Sequence, residues 1–158
     1  MVDLENRRAY VSAVVDAQAS TGDKATFTPA LPVDIYRWGF ITAGLFDVGA
    51  GAEVAIDFRP TAGSDTDRAE KDTISVSADI AAGKSVYKEL VLAVAQATAS
   101  DGSLVDVGPA GPVEVNPGEQ IVFEVKNVPD TAGNIYFFAE YVEKPYAGDR
   151  IADNAVEG

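Results

Sequence analysis

Along most of this chain hydrophobic and polar positions alternate with a period of two, the signature of strands that bury one side. Residues 120–128 set Ile121, Phe123 and Val125 on one face and Val122, Glu124 and Lys126 on the other. Residues 52–59 point Val54, Ile56 and Phe58 inward against Glu53, Asp57 and Arg59. Residues 72–80 do the same with Ile74, Val76, Ala78 and Ile80. Two stretches are richer. In 33–47 the alternation gives Tyr36, Trp38, Phe40, Thr42 and Phe46 one face and Ile35, Gly39, Ile41, Ala43 and Leu45 the other, which predicts a central strand. In 134–143 Ile135, Phe137, Ala139 and Tyr141 line one face, and Tyr136, Phe138 and Val142 the other. One apolar face fills a core; the second needs separate cover, and contiguous exposed apolar surface marks contact sites.

Turn chemistry separates these strands. Asn116-Pro117-Gly118-Glu119 combines a preset φ with a glycine that accepts positive φ, and is expected to fold 113–115 back toward the next strand. Gly49-Ala50-Gly51 reads as a hairpin turn, and Asp101-Gly102 as the tip of another joining residues 103–107 to what precedes them. Residues 84–90 alternate as a strand, and the type of the continuation to residue 99 stays open. The loop 61–71 is the most polar part and is expected to be mobile. Its Asp65, Asp67, Glu70 and Asp72 suggest calcium, but Ala69 and Glu70 stand where an EF-hand loop needs an oxygen ligand and a glycine, so a solvated loop is the reading. About eight strands at turn-punctuated intervals predict an all-β, antiparallel β-sandwich or jelly-roll-like single domain with extended termini. The domain spans 21–144. Residues 1–20 form either a first strand or short helix on the domain or an arm that docks on a partner, and 145–158 a C-terminal tail with Tyr146 and Ile151 as its possible anchors.

Composition narrows the chemistry. The chain has 158 residues, enough for one independently folded domain. It has no cysteine, hence no disulfide or thiolate metal site, and no histidine, hence no neutral-pH imidazole base. A net charge of -13 disfavours nucleic-acid partners, which need clustered Lys and Arg. No apolar run reaches the ~20 residues of a membrane helix, and the first residues lack the basic-then-apolar pattern of a secretory signal, so neither membrane insertion nor signal-directed secretion is expected. The 25 Asp and Glu form no privileged pair for glycoside hydrolysis, and an acidic solvated surface accounts for them. No catalytic, cofactor or metal residue is assigned.

The segments Ala81-Ala82-Gly83-Lys84-Ser85-Val86-Tyr87-Lys88, Val115-Asn116-Pro117-Gly118-Glu119-Gln120-Ile121-Val122-Phe123-Glu124-Val125 and the Ala132-Gly133 turn before the last strand resemble the capsid decoration (cement) proteins of tailed bacteriophages. That resemblance covers the C-terminal half. It implies a non-enzymatic jelly-roll-like protein, made in the host cytoplasm and carried on the virion. There a homotrimer clamps neighbouring copies of the major capsid protein. A clamp of this kind gains from several linked weak contacts, and it needs no nucleophile, base or metal. The candidate partner-binding residues are Arg7, Arg8, Tyr10, Tyr136, Phe138 and Val142: the most basic spot of an acidic chain and the second apolar face of 134–143. The rival reading is a carbohydrate-binding sandwich that stacks sugars on Trp38, Tyr36 or Tyr87.

Overall fold

Strands dominate because β-branched and aromatic residues recur at alternate positions. In the computed structural model, which describes residues 7–90, 97–98, 104–106 and 112–144, no helix occurs among the described residues. The strands are β1 (Arg7–Val11), β2 (Val15–Asp16), β3 (Gly22–Phe27), β4 (Val33–Phe46), β5 (Ala52–Arg59), β6 (Ala69–Val76), β7 (Ser85–Glu89), β8 (Ala97–Thr98), β9 (Leu104–Asp106), β10 (Val113–Val115), β11 (Gln120–Asn127) and β12 (Gly133–Glu143).

Sheet A runs β1-β12-β4, with β7 and β10 sharing the far side of the long β4 and β2 extending the β1 side. Sheet B runs β3-β11-β5-β6, and every pairing is antiparallel. Eight strands carry the architecture: β1, β3, β4, β5, β6, β7, β11 and β12. The first of them pairs with the last, the second with the seventh, the third with the sixth and the fourth with the fifth. This is one long hairpin rolled up, so that consecutive strands from β3 to β5 and from β11 to β12 fall in opposite sheets. It is the jelly-roll order, and it decides between the two sandwich topologies that strand counting leaves open. The small hairpin β8–β9 lies between β7 and β10 in the sequence, on either side of Asp101-Gly102, whose own residues fall outside those described.

Between the sheets, Trp38, Phe40, Phe46, Phe123, Phe137, Ile56 and Ile121 are fully buried. Tyr10 stacks on Phe27 and Phe123 at centroid distances of 5.0 and 5.7 Å, and Phe123 on Phe137 at 5.2 Å. The faces expected for β5, β11 and β12 are those observed.

Four expectations need correction. In β4, Ile35 joins Trp38 and Phe40 in the core whereas Tyr36 turns out, because the β4–β12 register slips between Glu140 and Tyr141 and an extra residue of β4 is accommodated there. Ala78 is exposed, because β6 stops at Val76. The turns at Gly49-Ala50-Gly51 and Asn116-Pro117-Gly118-Glu119 have the expected glycine geometry, with Gly49, Gly51 and Gly118 at positive φ. They do not close hairpins, however. Each carries the chain from sheet A to sheet B, β4 to β5 and β10 to β11, and 113–115 pairs with the start of β4. Finally, the polar loop after β5 is pinned to sheet B, as described below.

Candidate interaction surface

The outer faces of the two sheets differ in kind. On sheet B, Ala55 and Val122 point away from the core yet are fully buried, and Asp57 and Arg59 are nearly so. Their cover includes the β5–β6 loop. Arg59 donates from Nη1 to Gln120 Oε1 (2.9 Å), from Nε to Asp65 Oδ1 (2.9 Å) and from Nη2 to Asp23 Oδ2 (2.8 Å). Arg68 donates from Nε to Asp57 Oδ2 (2.6 Å) and from Nη2 to Asp23 Oδ1 (2.7 Å). The loop backbone adds Ala62 N–H to Gly118 O at 2.9 Å and Gly63 N–H to Gln120 Oε1 at 3.2 Å. Of the acidic residues that suggested calcium, Asp65 is used by arginines, Glu70 pairs with Lys126 and Asp72 with Lys88. Asp65, lying between Arg68 and Arg59, is held below the usual carboxylate range by hydrogen bonds from both. Burial and the neighbouring Asp57 push the Glu124 carboxyl up. Among the described residues no group of three Asp or Glu is arranged around a metal position.

Sheet A is open. Its register builds three rows across the outer face. Val11, Phe138, Gly39 and Tyr87 form the first, in neighbouring positions on β1, β12, β4 and β7. Beside it on one side lie Tyr136, Ile41 and Ser85, and on the other Ala9, Glu140, Arg37 and Glu89. Val11 is 53% exposed, Tyr87 50% and Tyr136 36%, and Leu45, on the same side of β4 by alternation, 52%. Among the described residues Val14, in the β1–β2 connection, is the one other large apolar side chain so exposed. Phe138, in the middle of its row, is only 7% exposed. Exposed apolar side chains around this row, with a polar and charged row beside it, match the apolar core and polar rim of a protein interface.

The charged row has its own internal bonding. Glu140 Oε2 lies 3.2 Å from Arg7 Nη2 and 3.1 Å from Arg37 Nη1, and Arg37 Nη2 lies 2.7 Å from Glu89 Oε1. Arg7 lies over the Tyr36 ring at 5.2 Å and Arg37 over the Tyr87 ring at 4.8 Å, both within cation–π range. Hydrogen bonding to Glu140 raises the Arg7 guanidinium further above its usual pKa, and the bond to Glu89 does the same for Arg37. The result is a chain of contacts through all four strands of the sheet. It locks their side chains before any partner arrives, which lowers the entropy cost of binding.

The candidate residues read from the sequence are divided by this geometry. Arg7, Tyr136, Phe138 and Val142 lie on the outer face of sheet A, Arg7 opposite Val142 in register. Tyr10 turns inward and stacks in the core, and Arg8 shares its side of the strand while donating to the Arg7 carbonyl. Val11, Arg37, Tyr87 and Glu89 complete the surface. Alternation within 85–89 signalled that Tyr87 and Glu89 share a face, but only the register brings them beside Arg37 and Gly39. Of the three residues offered as sugar platforms, Trp38 and Tyr36 are buried and Tyr87 is exposed. Two clefts open at one end of the sandwich, of about 330 and 280 Å³. Asp16 is the carboxylate lining one and Asp130 the other, with Gln18 common to both, so neither holds a facing carboxylate pair.

No protein-family model matches this chain, and no curated protein does. Among solved structures there is similarity to a chain of the crystal structure of the IBDV viral particle, at 13% identity and a TM-score of 0.21. The alignment covers 94% of the present chain and 42% of that one, and at this score it carries no argument about fold or function.

Proposed function

We propose that the protein is a non-catalytic structural component of a virus particle, a decoration protein that binds the outside of an icosahedral phage shell and stabilises it by bridging neighbouring major capsid proteins. The observation that carries this reading is the asymmetry of the sandwich: a closed, self-bonded charged face on sheet B and an exposed apolar face on sheet A. Such a face is made for macromolecular contact rather than for a small substrate. The jelly-roll order agrees with this role, since shell proteins use that architecture; the fold alone assigns no activity, because lectins use it too. The resemblance of residues 81–88 and 115–125 to phage decoration proteins supplies the shell as partner and the trimer as the working form.

The test is co-sedimentation of the full-length protein with icosahedral phage shells stripped of their decoration protein, followed by heating of the shells. Saturable binding and a raised shell-disruption temperature are expected. Absence of binding to any shell, together with retention on a polysaccharide panel, would replace this reading with the carbohydrate-binding one.

A further inference from the structure

We infer that the outer face of sheet A is the surface on which a second copy of this chain packs. The inference rests on the reading of the protein as an assembling component and names the partner for that face. The first reason is electrostatic. With a net charge of -13, two copies repel wherever their acidic surfaces meet. In the three central rows of sheet A the charges are Glu140, Arg37 and Glu89, and Arg7 reaches Glu140 from the next row, so that each of these carboxylates is bonded to a guanidinium. In that next row Asp34 and Glu114 are bridged by Lys144. Because these charges are already paired, a copy meets less repulsion here than the net charge of the whole chain implies and leaves no charge of the central rows unpaired, which is what makes a buried polar row tolerable in an interface.

The second reason is size. β12 has 11 residues and β4 14, whereas β1 and β7 have five each and β2 and β10 fill part of the remaining edges. Rise and strand spacing are about 3.3 and 4.8 Å. The frontal area of the six strands, roughly 600 Å², is of the order of the ~800 Å² that each partner contributes to a stable protein–protein contact. The third reason is composition at the centre. Val11, Phe138 and Tyr87 form one row with Tyr136 beside it, which provides an apolar core framed by polar groups.

The test is the solution mass of the full-length protein by light scattering on a sizing column, over a range of protein and salt concentrations. The wild-type chain is expected above the monomer mass, with a multimer fraction that grows as salt screens the residual acidic repulsion. Val11→Asp and Tyr87→Asp, at exposed positions that leave the core intact, are expected to return it to the monomer mass while thermal melting by circular dichroism stays cooperative. Arg8→Gln, on the other side of β1, lowers the net charge by the same one unit as each face variant and is expected to leave the mass unchanged. A wild-type monomer at all concentrations overturns the inference, as does a multimer mass that neither face variant alters. Shell binding is scored separately on the same samples: a monomer that still decorates shells removes this inference and keeps the proposed function, whereas a face-dependent multimer that binds no shell does the reverse.

Discussion

Trp38 of β4 donates its indole N–H to Asp72 of β6 at 2.8 Å, so the tryptophan of one sheet is held by a carboxylate of the other. The second oxygen of Asp72 accepts from Lys88 of β7 at 3.1 Å, which ties a third strand to the same buried group. Replacing Asp72 with Ala strands the indole N–H and takes one partner from Lys88. Because Lys88 reaches partly into solvent and can turn outward, the expected loss is about 2–4 kcal/mol, at or below the range for breaking a buried pair. Urea titration checks this. Trp38→Phe loses the hydrogen bond and also leaves a cavity where the larger ring stood, with an expected cost of about 2–4 kcal/mol. A loss under ~0.5 kcal/mol in both variants would show that the inter-sheet bond holds nothing.

Gly39 lets the backbone of β7 pack close against β4. A Cβ there would lie 2.0 Å from the Val86 carbonyl oxygen and 2.7 Å from Tyr87 Cα, both backbone atoms that cannot turn aside. Gly39→Ala is therefore expected to push β7 off the sheet and to destabilise by about 3 kcal/mol, the upper part of the overpacking range. Faster hydrogen exchange is expected at the amides that join β7 to β4. Normal stability of the variant would mean that the two strands are less closely apposed.

Phe123 sits at the centre of the aromatic stack between Tyr10 and Phe137. Truncation to Ala is expected to cost about 3–5 kcal/mol in denaturant titration, and a loss below ~1 kcal/mol would mean that β11 presents its other face to the core.

Glu124 gives a pH signature. Burial first, and then Asp57, hold its folded pKa above the unfolded value. The folded state therefore binds the proton more tightly. Its favourable contribution is full below the unfolded pKa and is lost as pH rises through the folded one. Glu124→Gln, which mimics the protonated form, is expected to be more stable than wild type at neutral pH and equal to it in acid. Paired urea titrations at the two pH values read the difference, and the opposite ordering would show that the Arg68 contact at 3.4 Å outweighs the burial and repulsion.

Local alternation was enough to read the core faces of β5, β11 and β12, and it also marked Tyr136 and Phe138 as a second apolar side. What it could not carry were facts that depend on a distant strand. The exchange of Ile35 and Tyr36 arises from a slip against Glu140 and Tyr141, about a hundred positions away. The glycine turns at 49–51 and 116–119 have the right φ values for tight reversal, but nothing in a turn's own residues says whether the next strand pairs with the last or crosses to the other sheet. The contact face suffers most. Val11, Phe138, Gly39 and Tyr87 come from four separate parts of the chain, and their row exists only once the register is set. The sealed face of sheet B is illegible for a related reason: Asp57 and Arg59 alternate as solvent-facing residues and become buried only because the loop folds back over them.

That loop is expected to depend on one side chain. Asp57 is buried, its Oδ1 has no hydrogen-bond partner, and Arg68 Nε is the donor that reaches its Oδ2 at 2.6 Å. The same guanidinium engages Asp23 and Asp65, so it joins β3 and β5 to the loop. Arg68→Ala leaves a buried carboxylate beside Glu124 with no positive charge on it. The expected cost is about 3 kcal/mol at neutral pH, near the lower end for removing one partner of a buried pair, because water can enter once the loop lifts. Lifting should be visible directly as faster exchange of the Ala62 and Gly63 amides, which now bond to Gly118 and Gln120. Stability lost without faster exchange at those amides would locate the role of Arg68 in charge balance alone; exchange that accelerates with little loss of stability would make the loop a separately opening unit on an otherwise intact sandwich.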